Sequence, residues 1–203
     1  GGFSADEVEA YMADLLAAVA HGKTFGKMTK LPDGRIISIV NQPIEGGGWV
    51  ATHDDITERL LAEEKIKHLA HFDALTNLPN RVTFYERIAS VLSRLRRSET
   101  IAVFSLDLDH FKNVNDTLGH PIGDRLLQAA ADRMRSCVRA EDIVARLGGD
   151  EFAIVQVPSE QPANITALAA RVIEMVGAPY DIDGHQVVVG VSVGIAIAPS
   201  DSD

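Results

Sequence analysis

The chain has 203 residues, 46% of them hydrophobic, enough for a buried core. Its net charge of −10 is spread over both halves, which argues against a nucleic-acid binder, because such a protein needs a cationic face to displace counterions. The single cysteine, Cys137, excludes an internal disulfide, and no apolar run approaches the ~20 residues of a membrane span or opens the chain as a signal peptide, so the sequence reads as a soluble, cytoplasmic protein.

Residues 4–20 predict a helix capped by Ser4, with Val8, Tyr11, Leu15, Leu16 and Val19 on one face. "TFGKMTKL", "RIISIVNQPI" and "WVATHDDI", separated by the turns "PDG" and "EGGG", predict three strands of a small sheet on which Trp49 packs. From Thr57 to Phe72, "TERLLAEEKIKHLAHF" is a charged connecting helix. Ile56, Leu60, Ile66 and Leu69 line one side of it, interrupted by Glu63 and Glu64, and that side could meet a partner copy. His68 and His71 could share a metal, although exposed linker histidines are commoner.

After "DALTNLPNR" the pattern changes. Residues 81–97 predict a helix whose end, "RLRR", is solvated, and "IAVFSLDLD" a buried strand. "HFKNVNDTLGH" predicts a short helix and turn, and Ile122–Val138 a longer helix that buries Leu127, Ala130, Met134 and a structural Cys137. "DIVARL" and "EFAIVQV" predict a hairpin joined by Gly148-Gly149, residues 161–177 a helix, and "QVVVGVSVGIAIA" the closing strands. Helices alternating with strands around a hairpin imply an α+β fold with a sheet of mixed direction flanked by helices.

The two glycines of "RLGGDEFAIV" suit a two-residue primed turn with positive φ at both central positions. They do not explain Asp150-Glu151, like charges that repel at a hairpin mouth unless something cationic joins them. The strand "FSLDLD" ends in a second acidic pair, Asp107 and Asp109, on one face by the period-two rule. Either pair alone reads as solvated loop acids. Together they make an oxygen-rich site of the kind a hard cation such as Mg²⁺ takes, with substrate phosphates as further ligands.

These segments, in this order, resemble the GGDEF family of diguanylate cyclases over residues 73–203: "DALTNLPNR", "DLDHFKNVNDTLGHPIGD", "RAED", "RLGGDEF" and "VSVGIA". Residues 1–56 resemble the C-terminal part of a PAS sensor domain, running through "DDITERLLAE" into a helical linker at 57–72. The resemblance implies a palm-like nucleotide-cyclase fold and the joining of two GTP into cyclic di-GMP, with Mg²⁺ or Mn²⁺. It implies metal binding by the Asp107 side chain, the Leu108 carbonyl and Glu151, with Asp150 as metal ligand or as general base for the ribose 3′-hydroxyl. Gly148 and Gly149 would admit phosphates, Lys112 would touch phosphate, and Asn115 and Asp124 would hold guanine. Arg139 and Asp142, with Arg171 from the next helix, would form a product-inhibition site for cyclic di-GMP. Bare sequence reads the same residues as a helix lysine, a turn asparagine, a surface acid and a helix-end ion pair.

The resemblance further implies a homodimer, with each domain holding one GTP. Family members continue beyond "APSDSD" into a helix carrying phosphate-binding Lys and Arg residues, and a whole PAS domain would begin before Gly1, so the chain reads as a piece of a longer protein. A binding module that takes GTP or cyclic di-GMP and controls a downstream phosphodiesterase is the second reading.

Overall fold

The amphipathic start of the chain folds as α1 (Ala5–Ala20), followed by an antiparallel meander of β1 (Phe25–Lys30), β2 (Ile36–Pro43) and β3 (Trp49–Asp55). The structure, a computed structural model, describes residues 5–95, 99–157 and 163–198. The expected cap Ser4, the side chains of Val8 and Val19, and Arg96-Arg97 of the expected helix end lie outside the described residues. The chain forms two compact units, 1–67 and 68–203.

In the first unit Leu15 and Asn41 are buried, and Asn41 Nδ2 donates to the Tyr11 hydroxyl at 3.0 Å. The Tyr11 ring lies 5.6 Å from that of Phe25. Trp49 does not pack on the sheet as expected: it is 41% exposed. It opens β3, an edge strand paired on one side only, and every residue of β3 is exposed. Helix α2 (Thr57–His71) carries no buried residue.

The second unit begins with the turn 73–80 and α3 (Arg81–Leu92), whose N-cap Asn80 accepts from Thr83 N–H at 3.0 Å. The helix stops at Leu92 rather than 97, where Ser93 Oγ turns back to the Ser90 carbonyl in competition with helical continuation. Then follow β4 (Ile101–Leu108), α4 (Phe111–Leu118), α5 (His120–Cys137), β5 (Ile143–Gly148), β6 (Glu151–Gln156) and α6 (Ala163–Gly177). After them come β7 (Tyr180–Ile182), β8 (His185–Val187) and β9 (Val191–Ala198).

The main sheet has the order β5-β6-β4-β9, and every described pairing in it is antiparallel, where a sheet of mixed direction was expected. The reason lies in the interleaving. β4 and β5, joined through α4 and α5, do run parallel, but β6 sits between them; β6 and β9, joined through α6, run parallel with β4 between them. This is a split βαβ arrangement, so helical crossovers coexist with purely antiparallel neighbours. One sheet face packs Phe104, Leu106, Phe152 and Ile154 against α5 and α6. The other packs Ala145, Ala153 and Val155 against Phe84 of α3. Cys137 is buried, as the helical spacing predicts.

The β7–β8 hairpin is absent from the sequence reading, yet its turn Asp183-Gly184, with φ of +52° and +81°, has the two positive values of a type I′ turn. Beside it, the Arg133 guanidinium stacks 3.5 Å from the Tyr180 ring centroid and donates to the carbonyls of Met175, Ala178 and Pro179. It thereby satisfies acceptors that the end of α6 leaves open. Arg133→Ala is expected to lower unfolding stability by ~2–4 kcal/mol, and Arg133→Lys to recover little, since one ammonium cannot span the same acceptors. Denaturant midpoints equal to the parent's would contradict this.

Candidate active site

The antiparallel register sets Asp107 of β4 opposite Glu151, the first residue of β6. The turn between β5 and β6 is not the expected Gly-Gly loop. Gly148 pairs with Glu151 after a bulge at Leu147, so the two loop residues are Gly149 and Asp150. Gly148 and Gly149 have φ of +142° and +55°, while Asp150 is not in the positive region, the pattern of a II′ rather than a I′ turn. The extra residue carries Asp150 into the turn itself, and its carbonyl accepts from Leu108 N–H at 3.3 Å. A Cβ on either glycine would meet nothing within 4 Å, which leaves open space above the turn.

Burial first, then the charges of Asp150, Glu151 and Asp109, push the Asp107 carboxyl above the usual aspartate range. Asp109 itself is not the partner expected for Asp107. Strand β4 ends at Leu108, and with it the period-two rule; Asp109 turns toward β9, accepting from Ser192 Oγ at 2.6 Å and donating its N–H to the Gly190 carbonyl at 3.0 Å. The chain then enters α4 through His110 in the left-handed region, at φ +59°.

Among the described residues, no group of three or more His, Cys, Asp or Glu side chains is arranged to hold a metal ion by itself. The donor chemistry nevertheless fits Mg²⁺, which dehydrates reluctantly and takes one or two carboxylates plus substrate phosphates. Asp150, Glu151 and Asp109 add like charge around Asp107 on top of its desolvation, which a bound cation would offset. His68 and His71 have partners of their own: His68 Nε2 lies 2.7 Å from Asn77 Oδ1, and His71 Nδ1 lies 3.2 Å from Thr83 Oγ1.

Three residues around the hairpin were missed from sequence. Arg146 donates from Nε and Nη2 to the Gly149 carbonyl, at 3.0 and 2.7 Å, and from Nη1 to Asp73 Oδ1 at 2.9 Å. Asp73 also accepts from the N–H and hydroxyl of Thr76. Burial raises the Asp73 carboxyl, but the Thr76 and Arg146 bonds outweigh it and hold the group below its usual range. Arg81 lies 3.4 Å from Glu151, an exposed ion pair at the hairpin mouth. All three stand inside segments quoted above, but nothing local links them across the chain.

Lys112 is exposed on α4. Asn115 lies on the same helix, and its Oδ1 is buried without a hydrogen-bond donor. The α4–α5 turn brings it against Gly123, where a Cβ would sit 1.9 Å from Oδ1; Asp124, the next residue, is exposed. Arg139 and Asp142 follow α5. They form no helix-end ion pair: Asp142 instead accepts from the backbone N–H of Arg139 at 3.0 Å and of Val157 at 3.1 Å. Arg171, half-way along α6, donates to the Cys137 carbonyl and lines a cleft of about 260 Å³ with Arg139 and Asp142.

The family model described as "Diguanylate cyclase, GGDEF domain" matches residues 70–203, and a PAS-fold model matches 1–64. An uncharacterized signaling protein of Caulobacter vibrioides is 42% identical over 187 residues, 87% of this chain and 23% of that protein. MucR of Pseudomonas aeruginosa, a bifunctional diguanylate cyclase/cyclic di-GMP phosphodiesterase, is 38% identical, covering 82% of this chain and 24% of that one. The diguanylate cyclase TpbB of the same species is 41% identical, covering 94% and 45%. The chain therefore spans less than half the length of these relatives. Among solved structures, a sensory box/GGDEF family protein of Caulobacter crescentus matches with TM-score 0.61 and 45% identity, over 64% of this chain and 85% of that one. The coiled coil and GGDEF domain of DgcB from Caulobacter crescentus, in complex with c-di-GMP, matches with TM-score 0.61 and 29% identity, over 69% and 76%.

Proposed function

The chain belongs to the GGDEF family of diguanylate cyclase domains, and from that footing we propose that it joins two GTP into cyclic di-GMP with release of two pyrophosphates. The observation that carries the reading is the cross-strand pair Asp107–Glu151, with Asp150 raised into the turn beside it. Asp107, the Leu108 carbonyl and Glu151, with Asp150 as a further ligand or as base, would hold Mg²⁺ or Mn²⁺. The bound ion would neutralise charge building on the α-phosphate and the leaving pyrophosphate. The open turn at Gly148-Gly149 would admit the phosphates and Lys112 would contact them. Asp150, in the turn, would orient or accept the proton of the attacking 3′-hydroxyl.

Guanine would be held by Asn115 and Asp124. The unpartnered Asn115 Oδ1 supports this, because a buried acceptor without a donor is one a ligand N–H can satisfy. Asp124→Ala is expected to weaken GTP binding by ~1–3 kcal/mol and to leave ATP binding unchanged, read by calorimetry. Equal GTP affinity in parent and variant would remove Asp124 from the guanine site.

We divide the chain into a partial PAS sensor at 1–56, a linker helix at 57–72 and the GGDEF domain from 73 onward, working in the cytoplasm. Each domain would hold one nucleotide, so two copies must face one another about a twofold axis. Leu61, Ile66 and Leu69, exposed on α2, are apolar surface that a second linker helix would cover. Incubation with GTP and Mg²⁺ or Mn²⁺ is expected to yield cyclic di-GMP, with activity per molecule rising with protein concentration. A chain that binds GTP without converting it at any concentration would favour the second reading, a nucleotide-binding module controlling a downstream phosphodiesterase.

A further inference from the structure

Helix α2 carries no buried residue, so burial of apolar surface does not hold its end in place. Hydrogen bonds do. The carbonyls of its last four residues have no partner within the helix, and the segment that follows supplies a donor to each. Phe72 N–H donates to the His68 carbonyl and Asn80 N–H to the His71 carbonyl, both at 2.9 Å. Asn80 Nδ2 donates to the carbonyls of Ala70 at 2.9 Å and Leu69 at 3.4 Å. The other two polar groups of Asn80 serve α3: Oδ1 accepts from Thr83 N–H at 3.0 Å and the carbonyl from Phe84 N–H at 2.9 Å. One half-buried asparagine therefore caps the end of α2 and the start of α3 at once.

A second tie braces the same joint. His68 pairs through Nε2 with Asn77 Oδ1 at 2.7 Å, and its ring stacks on Phe72 with centroids 4.7 Å apart. Asn77 sits at φ +55°, in the left-handed region that asparagine tolerates. The residue before Asn80 reaches the catalytic hairpin. The Pro79 carbonyl accepts from Arg146 N–H at 3.0 Å, and the Arg146 guanidinium in turn holds the Gly149 carbonyl. From the last carbonyls of α2 to the turn bearing Asp150, the path runs through the adjacent residues Asn80 and Pro79 and then Arg146.

We propose that Asn80 is a positioning residue for cyclic di-GMP formation, fixing the catalytic hairpin to the end of the linker helix. The inference rests on the proposed reading, in which two copies must present their hairpins to one another. Joining two GTP needs the two sites oriented as well as close, and orientation adds to the rate beyond proximity. A joint made of hydrogen bonds alone loses that orientation when they are removed, while each hairpin still binds its nucleotide.

The test uses two variants that keep the local backbone role and cut the tie to α2. Asn80→Asp retains an N-cap acceptor for Thr83 N–H and removes the donors to the Leu69 and Ala70 carbonyls. Asn77→Gly retains the positive φ and removes the partner of His68. Turnover, KM for GTP and sedimentation are paired with hydrogen exchange at the amides of Arg146 and Leu108, which the Pro79 and Asp150 carbonyls hold. In Asn80→Asp, kcat is expected to fall about tenfold and both amides to exchange about tenfold faster, the scale of one lost hydrogen bond, with KM and the dimer fraction unchanged. Asn77→Gly should move kcat and exchange the same way by less, and it decides the matter if Asn80→Asp does not fold. Parent-like kcat in the folded variants would overturn the proposal. Faster exchange confined to residues 69–72, with Arg146 and Leu108 unmoved, would overturn it by making Asn80 a local helix cap. A raised KM would overturn it by moving the effect to nucleotide binding. A parent that makes no cyclic di-GMP would remove the reaction and the role in it, while exchange at Leu108 would still decide whether Asn80 braces the hairpin.

Discussion

Asp107→Asn is expected to abolish cyclic di-GMP formation and, at neutral pH, to leave the fold slightly more stable than the parent. On the proposed reading the loss follows from removing a carboxylate that would hold the metal ion neutralising phosphate charge, which typically costs at least ~10²–10³-fold in turnover. The gain follows from the like charges around Asp107. Burial, Asp150, Glu151 and Asp109 raise its carboxyl above the unfolded value, so ionising it in the folded chain costs stability. That cost is fully present above the raised value and vanishes as pH falls below the ordinary aspartate range, where the group is protonated in both states. The stability difference between variant and parent should therefore be positive at pH 7, shrink on acidification and shrink in high salt. Asp107 is only slightly desolvated and largely exposed, so the gain stays under ~1 kcal/mol. Added Mg²⁺ should raise the melting point of the parent and not of the variant. Melting curves across pH, with and without Mg²⁺, test the stability claims, and product chromatography tests the loss. A folded Asp107→Asn chain with near-parent turnover would remove Asp107 from the metal site.

Arg146→Ala is expected to cost ~1–3 kcal/mol of stability, the scale of lost charge-assisted hydrogen bonds, and about 10²-fold in turnover. The guanidinium holds the Gly149 carbonyl on one side and Asp73 on the other, with only 11% and 23% of the two charged side chains exposed. Without it, the turn that carries Asp150 loses its anchor, and a displacement of an ångström suffices for such a rate loss. Arg146→Lys keeps the charge and loses the fork, so it should recover little. Asp73 supplies the pH signature. Its folded-state value is lowered, so its contribution is present above the ordinary aspartate range and is lost as pH falls through the lowered value. The variant should lose part of that acid-range dependence while GTP affinity changes less than turnover. Unchanged turnover in a folded Arg146→Ala chain would show that the hairpin needs no such support.

Much of the site was legible from local pattern. Glycines between two apolar runs marked the hairpin, and an apolar strand ending in acids marked β4, because turn chemistry and side-chain period act over a few residues. The same local rules misplaced the turn by one residue, since the bulge at Leu147 is dictated by pairing with β6 and not by the glycines. They also paired Asp109 with Asp107, because the period-two rule carries no sign of where the strand stops. The Asp183-Gly184 turn carries a hairpin signal of its own, but its flanking strands, three residues each, are too short to show an alternation.

By itself the sequence determined the class of elements, the apolar faces of α5 and β4, the buried thiol of Cys137 and the segments that carry the family resemblance. Only the tertiary structure decided that Asp107 faces Glu151, that Arg146 reaches Asp73 across 73 residues, and that Arg139 and Arg171 line one cleft. The physical reason is the interleaved strand order. Helical crossovers insert β6 between β4 and β5, and β4 between β6 and β9, so the register that brings these side chains together is set by long-range pairing. Such pairing leaves no period in the chain from which it could be read.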